Sequence, residues 1–222
     1  MNGLIFLLLI VICIGLIYIV HRYFDKHELY LLSIVYSIIS LILSFKLITI
    51  FGLKINMSII FISGLLGILY YFINRYDGSE TKKYVITIMV STLSIILLML
   101  ISAIMTPSMY DESIVLIKDL VFDNWPILVL YPVSLTITML LCCYCFKELK
   151  KDKMKKNLKM IFTLIGITFI EVFMFMYFSY AIIIKFSDAL LIAIDNYFIM
   201  VMIMIGMLLL INKILKVKKV QS

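Results

Sequence analysis

Apolar residues fall in seven long blocks, at about 4–20, 29–50, 57–73, 84–105, 127–146, 160–184 and 190–211, with the polar residues gathered between them. Each block is 17 to 25 residues long. A helix rises about 1.5 Å per residue and the hydrocarbon core of a bilayer is about 30 Å thick, so every block is long enough to cross it. The pattern predicts an all-α fold, a polytopic helical membrane protein with six to seven transmembrane helices in one bundle. The lower count applies only if the first block is a signal peptide. No Lys or Arg precedes that block and no small-residue cleavage site follows it, so it is taken as a helix. The longest connections, 106–126 and 147–159, are too short to bury a core of their own. Residues 1–222 therefore form a single integral membrane domain.

Composition agrees with this reading. The chain is 64% hydrophobic and 15% charged, with a mean hydropathy of +1.17. A water-soluble domain carries roughly 45–50% apolar and about 25% charged residues. The net charge of +7 would suit nucleic acid in a soluble protein, but the positions of the charges point elsewhere. The successive connections carry two, one, three, one, seven and one Lys or Arg, and four more follow the last block. The positive-inside rule then places 16 basic residues in the cytoplasm and three outside, with Lys46 inside the second block. The N-terminus is expected outside and the C-terminus in the cytoplasm of a bacterial inner membrane. The basic excess serves orientation and attraction to anionic lipid, with no nucleic-acid partner. Trp125 and Tyr110 fit an interfacial role beside an acidic outer loop with Asp111, Glu112, Asp119 and Asp123.

No P-loop, H-E-x-x-H, Ser/His/Asp arrangement or internal repeat occurs, and no enzyme, cofactor or metal is expected. Cys142, Cys143 and Cys145 lie near one end of the fifth block with no His nearby. They are read as small packing residues, as is Cys13.

The few polar groups inside the blocks carry most of the functional information. Glu171 lies eleven residues from one end of the sixth block and thirteen from the other, about 16 Å from the nearer boundary. A carboxylate at that depth must be protonated, paired or wetted, which makes it a candidate site facing the bundle interior; a packing acid hydrogen-bonded across helices is the alternative. Lys46 lies about four residues from the outer end of its block, within reach of the interface. Ser33, Ser37, Ser40 and Ser44 share one helical face and read as a packing seam. Gly64 and Gly67, with Ser63, give the third block a similar seam. Asp195 and Asn196 read as a cap or solvated edge at the outer opening of the seventh block.

Several segments resemble a known family: Glu28-Leu29-Tyr30, Phe45 to Leu53 (F-K-L-I-T-I-F-G-L), Asn74 to Lys83 (N-R-Y-D-G-S-E-T-K-K), Pro107-Ser108 with Asp111, Phe122 with Pro126, and Leu149-Lys150-Lys151. Together they are similar to the vitamin-uptake or queuosine-precursor transporter family. With three extra residues allowed in the basic loop, Glu171 falls on the Asp of the family's S-Q-x-x-D-T motif and Thr168 on its Gln. Lys46 falls on the family's intramembrane Lys. Other polar positions differ. Leu41 and Leu43 stand for Asn and Gln, Tyr70 and Asn74 for an acidic pair, Thr138, Met139 and Cys142 for a second S-Q-x-x-D, and Met200 and Gly206 for Lys and Asp.

The resemblance implies uptake of a small heterocyclic molecule, a queuosine precursor such as preQ0, preQ1 or queuine. Glu171 would accept a hydrogen bond or a proton, Lys46 would donate, and Thr168 would supply a hydroxyl. Tyr70, Tyr71 and Tyr177 would stack on a planar ring or pack between helices. The substituted amides and acids leave two further readings open: a more apolar substrate, or a non-transporting membrane partner subunit. Expected partners are the small-molecule substrate and membrane lipids, with a second copy of the chain or a separate energising subunit as further candidates.

Overall fold

The structure is a computed structural model that describes the backbone of residues 2–105, 117–151 and 156–219, with side chains up to 148 and from 159 to 213 in the last two segments. Pro107, Ser108, Tyr110, Asp111 and Glu112 of the outer loop, and the side chains of Leu149-Lys150-Lys151, lie outside the described residues.

Seven helices are long and apolar enough to cross a membrane. They are α1 (Asn2–Tyr23), α2 (Lys26–Leu43), α3 (Ser58–Arg75), α4 (Gly78–Ile104), α5 (Trp125–Lys151), α6 and α7 (Phe186–Lys219). The sixth, α6, runs over Lys156–Val172, passes through a π-helical turn at Phe173–Tyr177 and ends with Phe178–Ile183. Polarity is arranged for lipid. Outward faces carry residues such as Leu7, Val11, Ile86, Val90, Leu97 and Phe162, whereas Ser33, Ser37, Ser40, Ser63, Thr92, Ser134 and Glu171 are buried. The chain is thus a multi-pass helical membrane protein in one bundle.

One expected helix is shorter than its apolar block. The block at 29–50 ends as helix at Leu43, and its last residues form strand β1 (Leu47–Ile50), paired antiparallel with β2 (Leu53–Asn56). Leu47 pairs with Asn56 and Ile50 with Leu53, so Phe51 and Gly52 make a two-residue turn. Both turn residues have positive φ, 51° at Phe51 and 84° at Gly52. That geometry matches the right-handed twist of a hairpin. Lys46 therefore sits at the foot of the hairpin, exposed and outside any helix. Its carbonyl accepts from the Met57 N–H at 3.1 Å.

The hairpin marks one end of the bundle, where α1 begins and where Asn2 reaches the Thr49 carbonyl at 3.5 Å. Arg22, Lys26, Arg75, Lys82, Lys83, Lys147, Lys159 and Lys213 belong to the opposite, basic end. The free edge of β2 is closed by side chains of α7. Asp195 accepts from the Lys54 N–H at 2.8 Å. Asn196 accepts from the Asn56 N–H at 2.8 Å and donates to the Lys54 carbonyl at 3.0 Å. This corrects the reading of the two residues as a cap. They lie more than two turns inside α7, and Asn196 is fully buried because strand backbone in a bundle needs partners that water does not supply.

The core centres on α3, every residue of which from Ser58 to Ile73 is buried. The serine face of α2 packs inward, as its spacing suggested. Ser33 and Ser44 donate to carbonyls of their own helix, Ser40 donates to the Ser58 carbonyl at 3.2 Å, and Ser37 meets Ser91 of α4 at 3.0 Å. A Cβ on Gly64 would lie 2.9 Å from Cys13 Sγ and 2.9 Å from a Tyr36 ring carbon, so α1, α2 and α3 cross at that glycine.

Candidate functional site

Halfway along α6, Glu171 is 1% exposed. Its partners come from α5: the Thr138 hydroxyl donates to one carboxylate oxygen at 2.6 Å, and the Ser134 hydroxyl lies 3.3 Å from the other. Ser134 and Thr138 are four residues apart, so one face of α5 presents both. Ser134 also lies 3.1 Å from the Tyr131 carbonyl. Glu80 pairs with Lys26 and Lys83 at the basic end, and among the described residues no cation pairs with Glu171.

The two helices that build this site are the two with irregular backbones. Pro132 stands inside α5, two residues before Ser134, and lacks the N–H that would close a turn onto Leu128. In α6 the π-helical turn begins two residues after Glu171. Such turns hold one extra residue, which widens and underwinds the helix locally, and they recur at functional positions. Around the carboxyl group, Tyr131 and Phe175 are fully buried and meet edge-on with ring centres 5.4 Å apart.

Chemically, a carboxyl group with two hydroxyl partners and no counter-ion can accept from both while ionised, or donate to one while protonated. Without a cation the ionised form is expensive in an apolar interior, so a proton or a ligand donor that reaches the group is held firmly. No group of three or more His, Cys, Asp and Glu side chains comes together among the described residues in a way that could hold a metal.

The other expected site residues do not gather around Glu171. Lys46 is corrected from an intramembrane donor to an exposed residue beside the hairpin, because the strand starting at Leu47 carries it out of α2. Thr168 is buried one turn from Glu171, but its hydroxyl donates to the Leu164 carbonyl at 2.8 Å. Tyr70 belongs to the basic end, where it lies 2.9 Å from Asn212 Oδ1 and edge-on to Phe146. Tyr71 packs edge-on against His21 at 4.9 Å. Tyr177 lies toward the hairpin end among Phe173, Phe178 and Phe186. The three rings are dispersed along the bundle and bridge helices.

Sequence reasoning does not reach Ser134, and it reaches Thr138 only as a substituted position of the family motif. Their spacing of four within an apolar block was the available signal, but only the pairing of α5 with α6 aims them at Glu171. Compared with protein-family models, with curated proteins and with solved structures, the chain matches none of them.

Proposed function

We propose that this chain is a membrane transporter whose central site is Glu171 with Ser134 and Thr138, and that its cargo is a small heterocyclic molecule of the queuosine-precursor class. The observation that carries the reading is the carboxyl group itself, buried at mid-bundle between hydroxyls, with no cation among the described residues to neutralise it. An acid in that position costs several kcal/mol to keep ionised in lipid surroundings, and a bound donor or proton offsets that cost. The proline in α5 and the π turn in α6 give the two helices places to bend, and a buried site must open toward one face at a time for cargo to cross. The basic end faces the cytoplasm in this reading, following the positive-inside rule.

A second reading, transport of a more apolar substrate, is favoured by the surroundings of Glu171. Hydroxyls and aromatic rings line it, and where the resembled family carries amides this chain has Leu41, Leu43 and Met139.

The test is uptake rescue in a bacterium that lacks queuosine synthesis and its own importer, supplied with preQ0, preQ1 or queuine, with queuosine in tRNA as the readout. Wild-type chain should restore queuosine from at least one precursor, and Glu171→Gln at matched membrane level should abolish it. Restoration that the Gln variant leaves intact would remove Glu171 from the site. No restoration from any precursor would reject that cargo class and leave the more apolar substrate to be tested.

A further inference from the structure

At the basic end, the start of α2 and the first turns of α4 enclose an open groove of about 570 Å³. Lys26, His27, Tyr30, Glu80 and Lys83 line its polar part. The two ammonium groups are held on the two oxygens of one carboxylate: Lys26 Nζ lies 3.1 Å from Glu80 Oε2 and Lys83 Nζ 2.8 Å from Glu80 Oε1. Glu80 is fixed in turn, because the Tyr30 hydroxyl donates to its backbone carbonyl at 2.9 Å and the Tyr30 ring packs edge-on against Phe72. An ammonium group has three donors, and each lysine spends one on Glu80. Two cations against one anion leave a single positive charge in a preset position.

The groove continues into an apolar face. Leu31 and Ile86 line it and are 62% and 56% exposed, and Val35 and Val90, one turn further along the same helices, are also exposed. Deeper still, the Ser37–Ser91 contact at 3.0 Å keeps α2 and α4 together beneath it. One surplus positive charge directly above a lipid-facing apolar stripe matches an amphiphile with one negative charge and a long chain.

We propose that this groove is a binding site for an anionic phospholipid, with the phosphate between Lys26 and Lys83 and an acyl chain along Leu31, Val35, Ile86 and Val90. Basic pockets between helices on the cytoplasmic side are suited to such headgroups. Glu80 spaces the lysines and also competes with the phosphate for them. The inference rests on the membrane placement of the basic end and is independent of what, if anything, is transported.

The test uses the full chain in nanodiscs of equal parts phosphatidylglycerol and phosphatidylcholine, with the lipids that stay bound counted by native mass spectrometry after release. The wild type should retain phosphatidylglycerol in preference. The triple variant Lys26→Gln, Glu80→Gln, Lys83→Gln leaves no unpaired acid behind and should lower that preference about five-fold. Lys213→Gln changes the net charge equally at the same end and should leave the preference unchanged. Glu80→Gln alone keeps both cations and removes their competitor, so the preference should hold or rise. Equal retention of both lipids by the wild type, an unchanged preference in the triple variant, or an equal fall with Lys213→Gln would overturn the site. If the triple variant fails to fold, a fall to parity in Glu80→Gln would overturn it as well.

Discussion

Replacing Gly64 with Ala adds one methyl group where α1, α2 and α3 cross closely, and the surrounding geometry sets its cost. The new Cβ would stand 2.9 Å from Cys13 Sγ, 2.9 Å from Tyr36 Cε2 and 3.0 Å from Tyr36 Cδ2. Ordinary contact needs about 3.5–4.0 Å between carbons. Neither neighbour can swing aside. Tyr36 is 1% exposed, its hydroxyl donates to the Cys13 carbonyl at 2.8 Å, and its ring is edge-on to Phe61. The thiol of Cys13 is 3.8 Å from the Ile60 carbonyl of α3. The strain must be relieved by moving helices apart, which in packed cores costs about 1–3 kcal/mol. Gly166 is the matched control, because a Cβ there meets nothing within 4 Å and Ala should change stability by about 0.5 kcal/mol or less. Unfolding of the purified protein in mixed micelles, titrated with SDS, measures both. Cys13→Ala in the Gly64→Ala background removes one of the two obstructions and should recover part of the loss. If Gly64→Ala unfolds at the same SDS fraction as Gly166→Ala, the close crossing of α1, α2 and α3 is refuted.

Two further outcomes follow from the hairpin. Asn196→Ala leaves the Asn56 N–H and Lys54 carbonyl without their side-chain partners, at about 1–3 kcal/mol for an unmet buried group. Hydrogen exchange at the Asn56 amide should accelerate by at least ten-fold, while Asp195→Asn, which keeps the acceptor, should leave Lys54 protected. On a cysteine-free background, Phe51→Cys at the 95% exposed tip should react with an impermeant maleimide in intact cells, and Lys82→Cys only after the membrane is opened. The reverse pattern would invert the proposed orientation.

The spans were legible because lipid demands long apolar runs and the chain has little else. The hairpin was hidden for the same reason: Leu47, Ile48 and Ile50 satisfy a hydropathy window as well as any helix does. The signal was local instead. Ile48, Thr49 and Ile50 are β-branched, and Phe51-Gly52 followed by Leu-Lys-Ile supplies a turn and a return strand. Reading the block as one helix carried Lys46 into the membrane and left Asn196 without a purpose. Glu171 was legible because depth alone marks a carboxyl group. Its partners were not, because Ser134 and Thr138 matter through a neighbour 33 to 37 residues away in sequence. The tyrosines were equally ambiguous, since aromatic rings at helical spacing serve helix contact as readily as ligand contact.

Helix α3 touches α1, α2, α4, α5 and α7 and shows lipid no face over Ser58–Ile73. During synthesis it follows α1 and α2 but precedes α4, α5 and α7, so it first meets the bilayer with much of its surface still uncovered. Its Tyr70 hydroxyl pairs with Asn212, and the hairpin that leads into it is tied down by Asp195 and Asn196, all on α7. Helix α7, made after α3, therefore works as a latch at both ends of that central pillar. A nascent chain stopped before residue 186 would hold its earlier spans in the membrane yet leave that pillar unfastened until α7 is made.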